Sequence, residues 1–241
     1  MATDSPFIKN LASSDKEIRD NALDSLRTYL GGRSEISELD LLKLWKGLFY
    51  CLWMQDKPVL QQRLSRDLAS LVSTLRAGVA LPFVRAFFLT MAREWTNIEA
   101  LRLDKYLYLI RQYMNAAFKY LATKKWKKAV LEEWNTIVEE TPLNPTDMKI
   151  PNGLRYHVLD VWVDELEKVQ SDWESEKKQE VLETLVQPIE KLAKNGGLKV
   201  VREAAKETLS EDKLRAWRGQ EDEVMAEPES EEDDEWGGFE D

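Results

Sequence analysis

The side chains able to do chemistry are few and scattered. His157, in LRYHVLDVWVDEL, is the sole histidine of the chain, and Cys51 its sole cysteine. A lone His with no Cys or second His nearby offers neither a zinc site nor a nucleophile–base pair at ordinary spacing. It reads as a structural side chain hydrogen-bonded at a helix surface. Cys51 lies in the apolar run GLFYCLW, where a buried, inert thiol is expected, and one cysteine excludes an internal disulfide. Asp160 and Asp164 stand one helical turn apart and are the carboxylates that would hold a catalytic magnesium. Acids at that spacing on an amphipathic helix more often form its solvated face. Gly31-Gly32 and Gly196-Gly197 lack the residues that complete a phosphate-cradling loop. No catalytic residue, metal ligand or cofactor is therefore expected.

Three features are suited to binding. Lys119, Lys124, Lys125, Lys127 and Lys128 form a basic run around Trp126. Clustered lysines neutralise phosphates by counterion release, and an exposed Trp stacks on an unpaired base. Packing of Trp126 inward is the more ordinary outcome. Glu132 and Glu133 close the run, so it predicts a local patch for phosphate contact and not an extended RNA track. The second feature is helix 38–57, whose apolar residues wrap most of its circumference. Lys43, Lys46, Gly47 and Tyr50 fall on its narrow polar side, and Lys43, Lys46 and Tyr50 are candidate partner contacts. Trp45 and Trp53, eight residues apart, share one side and read as core. The third is the C-terminal stretch AEPESEEDDEWGGFED, too charged to fold alone, with Trp236 and Phe239 as possible anchors on a basic partner. Ser230 in that stretch resembles an acidophilic kinase site.

The elements that must position these residues are helical. Ten Gly and eight Pro in 241 residues are few for an all-β chain with many turns. Apolar residues recur at helical spacing behind start signals: Ser5-Pro6, Ser14 with Glu17, Ser37 with Asp40, Asp56 with Pro58, Pro82, and Thr96 with Glu99. The long helix after Thr96 gathers Leu103, Tyr106, Leu107, Ile110, Tyr113, Met114, Ala117 and Leu121 on one side. Asp104, Lys105, Tyr108, Arg111, Gln112, Asn115 and Lys119 share a wet stripe opposite. A lysine-rich helix is expected over 124–140, then further helices over 152–169, 175–194 and 198–217. Pro188 must kink or divide the second of these. The pattern predicts an all-α fold of stacked antiparallel helix pairs, an irregular HEAT-like α-solenoid. Residues 1–218 form one helical domain, with a hinge at the proline-rich segment 141–151, and 219–241 an acidic disordered tail.

Charge divides along the same boundary. The net charge is −10, but twelve of the 44 carboxylates lie in 219–241, leaving 32 against 34 lysines and arginines. The body is thus near neutral. The N-terminus has no basic segment followed by an apolar one, and no stretch approaches a membrane span of about 18 apolar residues. A reducing nuclear or cytosolic compartment is expected, with no membrane contact.

Several long segments resemble the family of nucleolar ribosomal RNA-processing protein 1. They are LLKLWKGLFYCLWMQDKPVLQQRLSRDLA (41–69), FFLTMAREWTNIEALRLDKYLYLIRQYM (87–114) and PNGLRYHVLDVWVDEL (151–166), and FIKNLASSDKEIRDNALDSLRTYL (7–30) fits the family's N-terminus. The resemblance implies a non-catalytic, HEAT-like factor of the nucleolus that joins early precursors of the large ribosomal subunit (pre-60S particles) and is required for precursor rRNA processing. It implies partners among pre-60S assembly factors: a Brix-domain protein, an RNA-binding assembly factor and a β-propeller protein, with ribosomal proteins as further neighbours. Many members carry a long basic extension where this chain ends acidic at 241, so strong RNA binding by the tail is not expected. Arg93, Arg102 and Lys105, charged residues of the shared motifs, are expected to tie adjacent helices by ion pairs. The leading expectation is a scaffold with protein contacts and limited rRNA contact, and its alternative is a module whose main role is direct pre-rRNA recognition.

Overall fold

The computed structural model describes residues 10, 11, 13 and 15–220. The segments carrying Ser5-Pro6, Ser14, Ser230, Trp236 and Phe239 lie outside the described residues. The described chain is helical: α1 (Lys16–Gly31), α2 (Glu38–Trp53), α3 (Pro58–Ser70), α4 (Ala77–Glu94) and α5 (Leu103–Thr123) come first. After them come α6 (Lys128–Glu140), α7 (Asn152–Glu167), α8 (Glu176–Asn195), α9 (Lys199–Leu209) and the short α10 (Asp212–Trp217).

Caps explain where several helices begin. Asp15 heads α1, its carboxylate accepting from the Glu17 and Ile18 amides. The cap is therefore one residue beyond Ser14. Ser37 caps α2 as its spacing with Asp40 predicts, with Oγ accepting from the Asp40 amide. Pro58 takes the first position of α3, where a missing N–H costs nothing, while Lys57 and not Asp56 is the capping residue. Other boundaries differ from expectation. Pro82 lies inside α4, five residues past its start at Ala77. Thr96 and Glu99 form no capping box: short 3₁₀ turns at Trp95–Asn97 and Ala100–Arg102 lead into α5. Pro188 lies within α8, which runs from Glu176 to Asn195, so of the two expected outcomes it does not divide the helix. The last expected helix is two, α9 and α10, parted at Ser210-Glu211.

Most helices pack chiefly on the helix two places ahead. α2, α4, α6 and α8 make one row, and α3, α5, α7 and α9 the other, with α8 and α9 closing the end. That two-row order is what stacked helix pairs require. Large aromatics fill the seam between the rows. Trp45 of α2 and Phe87 of α4 meet Tyr113 of α5 at ring separations of 5.0 and 4.2 Å. Farther along, Phe118 of α5 meets Trp134 of α6 and Trp162 of α7 at 5.9 and 5.4 Å. Several polar tips bond backbone carbonyls: Trp45 Nε1 donates to Phe83 (2.9 Å), Tyr106 Oη to Phe49 (2.9 Å) and Tyr113 Oη to Leu68 (2.8 Å). Such groups bring a large apolar area into the core without an unpaired hydroxyl. Trp45 and Trp53 do share a side of α2, with Trp45 in the core and Trp53 half-buried.

Cys51 is buried in this core, and burial pushes its thiol up to about 12. An unfolded thiol ionises near pH 9.0, so between those values the unfolded chain has released a proton that the folded chain keeps. The Cys51 contribution to stability therefore falls as pH rises above about 9, while Lys105, lowered by burial to about 8, contributes the opposite slope up to about 10.5. Chemical denaturation from pH 8 to 11 should show a shallower fall for Cys51→Ala than for the wild type. The remaining slope is the balance of Tyr106, Tyr113 and Tyr120, whose hydroxyls burial also raises, against Lys105, whose lowered pKa acts in the opposite sense. Identical slopes would place the thiol in contact with water.

Candidate interaction surfaces

The groups with chemical potential are engaged in holding helices together. His157 Nε2 lies 2.8 Å from the Leu107 carbonyl, which makes this nitrogen the donor and links α7 to α5. Burial lowers its affinity for a proton. Asp160 is exposed, with Oδ2 3.9 Å from His157 Nδ1. Asp164 accepts from Arg111 Nη2 (2.8 Å) and faces Lys213 at 3.4 Å, so cations occupy its oxygens.

Of the motif charges, Arg102 forms an ion pair reaching the segment beyond α2, with Asp56 at 3.5 Å, while the stronger contacts are to carbonyls. Arg102 Nη1 and Lys105 Nζ both donate to the Trp53 carbonyl at 2.8 Å, and Lys105 Nζ also to the Gln55 carbonyl at 2.9 Å. These carbonyls close α2, whose C-terminal end attracts cations. Arg102 also stacks over the Trp53 ring at 5.0 Å. Lys105, assigned to the wet stripe, is in fact buried, and that burial lowers its pKa to about 8. Among the described residues Arg93 pairs with its neighbour Glu94. Arg155, from the RYH motif, is buried and binds the carbonyls of Asn144 (2.9 Å), Asp147 (2.6 Å) and Ile150, together with Asn152 Oδ1 (2.9 Å). It thereby stitches the irregular segment 141–151 to α7.

The lysine run is not the start of a helix. α5 ends at Thr123 and α6 begins only at Lys128, so Lys124 to Lys127 form a tight turn. Lys125 and Trp126 take left-handed backbone angles, φ 55° and 54°. Lys124 lies over the Tyr120 ring at 5.0 Å, while Lys119, Lys125, Lys127 and Lys128 are exposed, with Lys128 3.9 Å from Glu132. Trp126 packs inward, its ring 6.1 Å from Trp173, which in turn lies 6.0 Å from Trp217. The left-handed region costs a residue with a Cβ roughly 1–2 kcal/mol. Lys125→Gly should therefore raise stability by about 1 kcal/mol in urea titrations. An unchanged or lower midpoint would show that the Lys125 side chain carries a compensating contact.

Lys43 and Lys46 are exposed on α2, Lys43 3.7 Å from Asp40, and Tyr50 is half-buried against Phe49 and Trp53. Gly47, placed on the polar side, is buried.

One surface escaped the sequence reading. An open trough of about 1030 Å³ runs between the start of α5, α7 and α9. Trp95, Leu103, Leu107, Tyr156, Val200 and Ala204 supply apolar lining. Gly153 permits this floor, because a Cβ there would meet the Trp95 indole at 3.0 Å. Asp160, Glu203, Glu207 and Glu211 supply carboxylates along it.

Fold and surface together define, among the described residues, an all-helical body whose reactive groups serve its packing. The chain belongs to the Nop52 family of nucleolar proteins, whose profile matches residues 2–238. It is 40% identical to ribosomal RNA processing protein 1 homolog B of Homo sapiens over 169 residues, which cover 68% of this chain and 22% of that protein. Identity to homolog A of Homo sapiens is 38%, covering 68% of this chain and 37% of the relative. For the Caenorhabditis elegans homolog it is 32%, covering 67% and 41%. The matched stretch thus spans less than half of each relative, and the resemblance read from the motifs agrees with these matches.

Proposed function

We propose that this chain is a non-catalytic helical scaffold of early nucleolar pre-60S particles, needed for precursor rRNA processing and large-subunit assembly. It acts through protein contacts with limited rRNA contact, and its partners are pre-60S assembly factors of the kinds the family resemblance implies. The names of the relatives, all ribosomal RNA processing proteins, support the process. The observation that carries the non-catalytic reading is the use of His157, Asp164 and Cys51 in packing and interhelical contacts. A body with 32 acids against 34 bases favours protein surfaces over a broad phosphate-binding face.

A second reading, direct pre-rRNA recognition, draws on the exposure of Lys119, Lys125, Lys127 and Lys128. The experiment is purification of the tagged full chain from nuclear extract with gradient sedimentation. Co-migration with large-subunit precursors is expected, and migration only as free protein would overturn the proposal.

A further inference from the structure

We propose that the trough between α5, α7 and α9 receives a basic amphipathic helix of a protein partner. This deepens the scaffold reading and rests on it.

The apolar part of the trough has the periodicity of a helix seat. Val200 and Ala204 lie one turn apart on α9, Tyr156 and Leu159 three apart on α7, and Leu103 and Leu107 one turn apart on α5. Val200 is 60% exposed and Tyr156 36%, so these side chains stand open to water where neighbouring core residues are fully enclosed. An amphipathic helix covers such rows with anchors at one-turn spacing.

Charge selects the occupant. Glu203, Glu207 and Glu211 follow one another at four-residue intervals beside the apolar row, and Asp160 stands on α7 among the same lining residues. Lys199 is the one lysine or arginine among those lining residues, and Lys206 beside them pairs with Glu203 at 3.0 Å, so Asp160, Glu207 and Glu211 carry the acidic excess. Burial, together with the nearby charges of Asp164 and Asp160, raises the pKa of Glu211, with Lys213 opposing them only in part. A carboxylate in a field of like charge is relieved by a cation supplied from outside. Lys or Arg flanking the anchors of an incoming helix would supply it. The same row repels RNA phosphates. It also disfavours this chain's own residues 221–241, which contain twelve carboxylates and no Lys or Arg.

The test places the photocrosslinker benzoylphenylalanine at position 200 of the tagged full chain in its native cells, with mass spectrometry of the crosslinked peptide. The expected product is a Lys/Arg-rich segment with apolar residues at helical spacing. Its yield should fall about tenfold or more in the double variant E203K/E207K, as charge reversal at a complementary surface dictates. Both glutamates are exposed and Glu203 gives up only a surface ion pair with Lys206, so the variant should stay close to the wild-type melting curve, which is measured alongside. A crosslink to RNA, to an acidic peptide or to a second copy of the chain would overturn the proposal. So would a yield indifferent to charge reversal, or no crosslink while the chain still sediments with large-subunit precursors. If the chain fails to sediment with precursors yet crosslinks to a basic helix, the function reading falls and the trough assignment stands.

Discussion

Arg155→Ala will lower the stability of the chain by about 3 kcal/mol, a fall in melting temperature of roughly 6–12 °C for a body of this size. Four acceptors lose their donor at once: the carbonyls of Asn144, Asp147 and Ile150 and the side chain of Asn152. A buried acceptor left unpaired costs about 1–3 kcal/mol, which summed over four would exceed this figure. Two effects reduce it. Burial of the guanidinium is itself unfavourable, as its lowered pKa indicates, and carbonyls of a surface loop regain water once released. Arg155→Lys should restore less than half the loss, because a single ammonium cannot reproduce the fork that spans three carbonyls. Hydrogen exchange should localise the damage to 141–151 and to Gly197, whose amide donates to the Pro145 carbonyl at 3.0 Å. A melting shift under 2 °C with unchanged exchange would show that the segment is ordered by other contacts.

Loss of Arg111 is the second large effect, expected at about 2–3 kcal/mol. Its guanidinium holds Glu165 Oε1 at 2.5 Å and Asp164 Oδ2 at 2.8 Å, joining α5 to α7. Glu165 is 2% exposed. Breaking a buried ion pair from one side costs about 3–5 kcal/mol, since the stranded charge keeps its desolvation penalty. Here the cost is discounted because Lys168 Nζ stays 2.6 Å from the same oxygen and Arg111 is itself one-third exposed. The double replacement Arg111→Met with Glu165→Leu removes both charges and should recover most of the loss. Urea denaturation of the two single variants and the double variant supplies the cycle. A double variant as unstable as the sum of the singles would mean that the pair does not interact.

What the sequence could disclose was what is decided locally or by periodicity. Ser37 caps α2 through atoms three residues away, and the buried stripe Tyr106, Ile110, Tyr113, Met114, Ala117 and Leu121 follows from helical spacing alone. Lys105 could not be read this way. Its residue type says surface, and only the approach of the α2 end supplies the carbonyls that hold it inside. Thr96 and Glu99 have capping-box chemistry, but the chain there turns in 3₁₀ steps before α5 starts. Pro82 was misplaced because the start of α4 carries no side-chain cap to mark it. The lysine run was legible as exposed charge, whereas its two left-handed residues were not, since neither Lys nor Trp advertises that conformation. The trough was hidden for a further reason. Glu203, Glu207 and Glu211 look like any solvated stripe until α5 and α7 bring their apolar rows alongside.

The central claim, a scaffold bound chiefly through protein surfaces, is tested most directly by gradient sedimentation of the tagged chain with Lys124, Lys125, Lys127 and Lys128 all changed to Ala. If those lysines carried the attachment through four phosphate contacts, affinity would fall with salt at a log-log slope of roughly −3 to −4, borrowing the factor for duplex DNA, and the variant would be released. Protein contacts predict that the variant stays with the large-subunit precursors at the wild-type fraction. Its transfer to the free protein at the top of the gradient, with the fold intact by circular dichroism, would contradict the claim.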